Sequence, residues 1–161
     1  MVVCEVRPQK EDPNRTRIIV AGSRICYPGD IGTSTGSLYL FKLMVNNVLS
    51  CCNARFFWFY LENFYLQTPM DRPDYVRIKL SDIPQEFIEE YNLTPLVQNV
   101  WIYFYILRGW YGLPQSGRLA NDLLRTRLEK AVYHKEAITP ILWCHKWRPI
   151  QFFLIVDDFG I

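Results

Sequence analysis

Phe152-Phe153-Leu154-Ile155-Val156-Asp157-Asp158-Phe159-Gly160 is the stretch on which the reading of this chain turns. An apolar, β-prone run carries two adjacent carboxylates. Burying a carboxylate in such surroundings is costly unless it is paired or bound to a cation. At a strand end or hairpin tip, the pair therefore predicts a magnesium site. The competing reading is an ordinary hairpin turn, which acidic residues also favour.

The segments before it predict alternating elements. Residues 142–146 and 149–156 read as two strands joined by the short connection Trp147-Arg148. Residues 117–132 predict an amphipathic helix, with Leu119, Leu123, Leu124, Leu128 and Ala131 on one face. A second helix is predicted over 38–49, after candidate N-caps at 33–37. In it Leu38, Phe41, Val45, Val48 and Leu49 recur near helical spacing and predict packing on a sheet. Residues 54–61 are continuously aromatic and aliphatic, which predicts a buried central strand. Residues 75–80 alternate as a half-exposed strand, 84–91 predict a short helix with Pro84 at its first turn, and 99–107 predict another strand, broken over 109–115. Near the start, a polar loop over 7–17 precedes short strand candidates at 18–20 and 24–27, read as a small hairpin. This mixed order predicts a layered α/β or α+β sheet with an inserted flap.

A chain of 161 residues, 16% of them aromatic, can bury a sizeable core, as one domain or two small lobes. The net charge of +2 demands no polyanionic partner, but its distribution is uneven. Arg7, Lys10, Arg15, Arg17 and Arg24 crowd the first segment beside only Glu5, Glu11 and Asp12. Such a flap suits phosphates, or is simply a solvated basic loop. Cys4, Cys26, Cys51, Cys52 and Cys144 are odd in number and irregularly spaced. They give neither a disulfide framework nor a zinc pattern, and predict reduced, mostly buried thiols. The first residues lack the basic front and long apolar stretch of a signal peptide, and the greasiest segment, 55–66, is too short and interrupted to span a bilayer. An intracellular soluble protein, cytoplasmic or nuclear and without a membrane partner, is expected.

Taken together, four segments resemble the reverse transcriptase domain of retrotransposons and retroviruses. Lys10, with Arg15-Thr16-Arg17-Ile18-Ile19-Val20, is similar to the fingers hairpin whose cations hold the incoming triphosphate. Tyr60-Leu61-Glu62-Asn63-Phe64-Tyr65-Leu66 is similar to the first catalytic motif. Tyr111-Gly112-Leu113-Pro114-Gln115-Ser116-Gly117 matches the loop that lies against nucleotide and template, and Val156-Asp157-Asp158 the last catalytic strand. The resemblance implies an α+β polymerase palm, an antiparallel sheet backed by two helices, with a β-rich fingers lobe. Fingers would comprise residues 1–36 and 69–115, and palm residues 37–68 and 116–161. It also implies RNA-directed DNA polymerase activity on an RNA or DNA template-primer and deoxynucleoside triphosphates. Two Mg²⁺ ions would be held in part by Asp157, which would complete the bridge and is expected on a strand adjacent to Tyr60 with its side chain on the same face, and by Asp158 as its supporting neighbour. Lys10, Arg15 and Arg17 would meet the triphosphate. Tyr65 would stand beneath the sugar, Gln115 would touch sugar and base, and Gly112 and Gly117 would allow close backbone approach. Without the resemblance, Tyr65 is a core aromatic, Gln115 a helix cap, and Arg15 and Arg17 a solvent-facing pair on one strand.

Two departures modify that expectation. The family's first motif begins with aspartate, and Tyr60 stands there. A phenol with an ordinary pKa of about 10 does not replace a carboxylate on magnesium. Glu62 is expected on the same strand face but displaced by roughly 6–7 Å, at about 3.3 Å per residue. The chain also stops at Ile161, so a truncated copy without a thumb, weakly active or inactive, is expected. The alternative is a non-catalytic nucleic-acid-binding or interaction module on the same scaffold. A third reading is an α+β domain with a chance Asp-Asp hairpin.

Overall fold

The computed structural model describes every residue except 1, 7, 10–12, 34–36, 140, 156, 157 and 161. In chain order the elements are β1 (Val2–Val6), β2 (Asn14–Ile18), α1 (Leu38–Ser50), β3 (Trp58–Tyr60), β4 (Pro69–Lys79), α2 (Gln85–Glu90), β5 (Trp101–Arg108), α3 (Ser116–Lys130), β6 (Tyr133–Lys135), β7 (Leu142–His145), β8 (Gln151–Ile155) and β9 (Asp158–Gly160). The strands form two antiparallel ribbons, β1–β2 and β4–β5, and one five-stranded antiparallel sheet in the order β3-β9-β8-β7-β6. Helices and antiparallel sheets mix as an α+β architecture, in line with the sequence.

Strand β8 organises the core because successive side chains on a strand point to opposite faces. Phe152 and Leu154 join Trp143 of β7, and Leu124 and Leu128 of α3 close over them. Trp143 and Phe152 are stacked nearly parallel, with ring centroids 6.3 Å apart. Phe153 points the other way, into a cluster with Ile141 and Met44 that Leu40 of α1 covers. The two long helices therefore pack on opposite faces of the sheet. Each such buried side chain contributes about 1.5–3 kcal/mol relative to exposure.

Local signals explain the helices. Ser37 is the N-cap of α1, its hydroxyl accepting from the Leu40 N–H at 3.3 Å. The buried face of α1 centres on Met44, with Phe41, Val45 and Val48 half-buried. Leu38 and Leu49 do not share it, being 67% and 80% exposed. In α3 the buried residue Ala120 is flanked by half-buried Leu119, Leu123, Leu124 and Leu128. Ala131 lies past the end of the helix and is exposed. The short helix α2 begins after Pro84, as expected.

Several expectations are corrected. Residues 54–61 are not a buried central strand. Only Trp58–Tyr60 is extended, at the edge of the sheet, and Phe56 through Tyr60 are all exposed. The N-terminal ribbon pairs β1 with β2 rather than 18–20 with 24–27, and Gly22–Arg24 is a 3₁₀ turn. Strands β1, β6 and β9 have no counterpart in the sequence pattern. Cys26, Cys51 and Cys52 are exposed rather than buried; of the thiols whose side chains are described, only Cys144 is buried, and all four are free. No described helix is long and apolar enough to cross a membrane.

Among the described residues, two valines hold left-handed backbone. Gln98 and Trp101 exchange backbone hydrogen bonds of 2.8 and 3.0 Å around Asn99 (φ 47°) and Val100 (φ 69°). A hairpin turn with two positive φ angles normally takes Asn-Gly. Val132 (φ 61°) follows the end of α3, where glycine is usual. A β-branched side chain is a steric outlier in this region, at a cost of about 1–2 kcal/mol. Val100→Gly is expected to raise stability in urea unfolding by about 1 kcal/mol, and Val132→Gly by less because its side chain is half-buried. A lowered midpoint for Val100→Gly would contradict the left-handed turn.

His145 closes the β7–β8 hairpin. Its Nδ1 accepts the N–H groups of Trp147 and Arg148 at 3.3 and 3.2 Å, and Tyr133 and Trp147 meet its ring edge-on. Burial, then the Arg148 charge, lowers its pKa below the ordinary 6.5. The unfolded chain thus binds this proton more readily. The stabilisation is complete above about pH 6.5 and lost as pH falls through the lower folded-state value. His145→Asn retains an acceptor without a titrating ring, and its unfolding free energy should vary less between pH 5 and 7 than that of the parent. Identical pH slopes would contradict this.

Candidate active site

Strand β9 lies between β3 and β8, and its register decides what meets at the acidic end. Tyr60 of β3 is opposite Asp158, and Asp158 is opposite Ile155 of β8. Directly opposed positions on an antiparallel pair share a face at a Cα separation of ~5 Å. Positions 60, 158 and 155 therefore form one row across three strands. Asp157 lies outside the described residues, and with it the expected convergence of Tyr60 and Asp157.

Tyr60 is 47% exposed at the edge of this sheet. It borders a cavity of about 170 Å³ between the end of β3 and α3, with Glu62, Phe64, Leu124 and Arg127 in its wall. Glu62 does not extend the strand as expected. β3 stops at Tyr60, residues 62–67 form turns, and Asn63 adopts φ 53°. Gln67 Nε2 donates to the Glu62 carbonyl at 2.8 Å and closes that turn. Among the described residues no three His, Cys, Asp or Glu are grouped to hold a metal ion. At the β3 position of this row Tyr60 presents a phenol rather than a carboxylate.

The segment from Gly109 to Gln115 is the hub of the site. Trp110 Nε1 donates to the Ile18 carbonyl at 2.6 Å, and the Val20 N–H donates to the Tyr111 carbonyl at 2.9 Å. These bonds dock the end of β2 onto the hub. Ser116 Oγ accepts from the Trp110 N–H and donates to the Trp110 carbonyl, both at 3.0 Å. Gly112 has φ 89°, and a Cβ there would overlap the Val20 carbonyl oxygen. At Gly117 the nearest protein atoms would lie 4.0 Å from a Cβ, ordinary contact distance.

Tyr65 is half-buried, edge-on to Tyr111 at 5.4 Å and tilted against Phe64 at 5.6 Å. Gln115 occupies the N-cap position of α3, but its side chain makes no cap bond. It is 1% exposed, its Nε2 donates to Asp74 Oδ2 of β4, and its Oε1 has no partner among the described residues. Arg15 and Arg17 are on β2, opposite Glu5 and Val3, while Lys10 lies outside the described residues. The structure thus joins Tyr65, Gln115 and the end of β2 around one loop, and Tyr60 to Asp158 through the sheet. Asp74, Trp110 and Ser116 hold this arrangement in ways that the sequence reading missed. Trp110 flanks a glycine at the start of the loop, whereas Asp74 gives no local signal because its partner lies 41 residues away.

Gly112→Ala adds both left-handed strain and a clash with backbone, and should destabilise the protein by about 2 kcal/mol or more in denaturant unfolding. Wild-type stability in that variant would contradict the docking of β2 on the loop.

Comparison of the chain with protein-family models, with curated proteins and with solved structures finds no match.

Proposed function

We propose that the chain is a reverse-transcriptase-type fingers-and-palm scaffold that binds an RNA or DNA template-primer and deoxynucleoside triphosphates. Its RNA-directed DNA polymerase activity is weak or lost. The observation that carries this reading is the strand order β3-β9-β8 with Tyr60 opposite Asp158. Nucleotidyl transfer of this class uses carboxylates from two adjacent strands, and the magnesium ions they hold activate the primer hydroxyl and grip the triphosphate. Here Asp158, the supporting neighbour of Asp157 in that resemblance, stands across from the position where the family's first motif begins.

The remaining features fit the same reading. The end of β2, which carries Arg15 and Arg17, docks on the loop that contains Gln115. Tyr65 packs against Tyr111 of that loop. Gln115 reaches a nucleotide only when Asp74 releases it, because its side chain is buried and held by that carboxylate. Tyr60, Val100 and Val132 each occupy a position that chemistry or backbone geometry assigns to another residue type. Three such misfits support a sequence that has drifted from an active ancestor. Tyr60 also favours the second reading, a non-catalytic nucleic-acid-binding or interaction module on this scaffold.

Magnesium-dependent primer extension separates the two. Restoring a carboxylate by Tyr60→Asp is expected to raise incorporation by ~10²–10³, the usual worth of one electrostatic group at a reacting centre. The double variant Tyr60→Asp/Asp158→Asn should lose that gain. No incorporation by folded Tyr60→Asp, with template-primer still bound, would leave the binding module.

A further inference from the structure

The β4–β5 ribbon has an outward face that the site above does not use. Its register pairs Tyr75 with Tyr105, Arg77 with Tyr103, and Lys79 with Trp101. These six positions share one face, because each is two residues from the next along its strand. The other face is apolar and covered, with Ile102 and Ile106 buried and Val76 and Ile78 half-buried. Asp74, also on the inner side, is engaged by Gln115. The outward six include four aromatics and two cations, and no carboxylate.

The rings and cations are prearranged. Tyr75, Tyr103 and Tyr105 are 66%, 49% and 64% exposed. The Tyr75 and Tyr105 rings lie 4.8 Å apart at 46°. The Arg77 guanidinium is held 4.6 Å above the Trp101 ring, and the Lys79 ammonium 5.5 Å from it. Cation–π contact fixes both side chains while leaving their polar edges open to solvent.

We propose that this face binds single-stranded nucleic acid, with unpaired bases stacking on Tyr75, Tyr103 and Tyr105 and phosphates lying against Arg77 and Lys79. Exposed aromatics interleaved with cations, and free of acids, match the stacked bases and regular anionic charge of such a strand. The face runs ~13 Å from position 75 to 79 at about 3.3 Å per residue. A duplex hides its base faces and gains only the phosphate contacts. The proposal deepens the template-primer reading by naming a surface that grips the unpaired strand, but it needs no catalysis at Tyr60 or Asp158.

Fluorescence anisotropy with labelled 12-nucleotide oligo(dT) and oligo(rU), and with a hairpin duplex, tests it on the full chain across a salt series. Wild type should bind at least one single strand more tightly than the duplex. Arg77→Gln/Lys79→Gln should reduce the slope of log K against log salt by about 1.4, at roughly 0.7 for each phosphate no longer neutralised. Tyr103→Leu, which keeps an apolar side chain on the strand, should weaken binding about tenfold. Lys130→Gln on α3 should bind as wild type does. Circular dichroism establishes that each variant is folded. Wild-type affinity and slope in all the folded ribbon variants, or no binding of single strands by the wild type, would overturn the proposal. If ribbon variants bind normally while Tyr60→Asp extends a primer, this surface fails and the polymerase reading stands. If ribbon variants lose binding while Tyr60→Asp extends nothing, the surface stands and that reading fails.

Discussion

The alternation of Phe152, Phe153 and Leu154 along β8 is the constraint from which the rest of the arrangement follows. Both faces of this strand are buried, one under α3 and the other against α1. A one-residue slip would exchange the two sets of side chains and open both clusters at once. The register of β8 is therefore strongly specified. Strand β9 returns against it with Leu154 opposite Phe159 and Ile155 opposite Asp158. Because β3 pairs with the far side of β9, the same register delivers Tyr60 to Asp158. The packing of two aromatic residues on β8 thus sets which positions share the acidic end of the sheet.

That dependence places the packing of the scaffold apart from the chemistry of the acidic end. The core clusters do not include Tyr60, so a change of residue at this position leaves β8 and both helices packed. Losing one charge-stabilising group costs orders of magnitude in rate, whereas an exposed edge position contributes little to stability. The left-handed valines tell the same story at a smaller scale. Each strains the backbone by about 1–2 kcal/mol, at turns outside both core clusters. The outward face of the β4–β5 ribbon is likewise independent of the acidic end, so the two proposals stand on separate surfaces.

Much of the fold is legible in the sequence because periodicity reports burial directly. The apolar stripe of α3, the Ser37 cap of α1, Pro84 before α2 and the alternation within β4 all appear where local chemistry places them. The run from Phe56 to Tyr60 misleads because continuous hydrophobicity predicts a central strand, while sheet order puts it at an edge. Hydropathy carries no information on strand order. The short strands β6 and β9 each pair over three residues and show no period of their own. At the site, the Gly109–Gln115 loop and the acid pair stand out as local strings. The Gln115–Asp74 bond, the docking of Trp110 on Ile18 and the Tyr60–Asp158 pairing are contacts between distant segments, which no local pattern encodes.

Cross-strand nuclear Overhauser effects in isotope-labelled protein test the pairing on which the functional account rests. The register predicts short backbone proton distances between Tyr60 and Asp158, together with Phe59 to Phe159 contacts. A folded protein in which Tyr60 shows no contact with β9, or is displaced by one residue along it, would contradict the shared site.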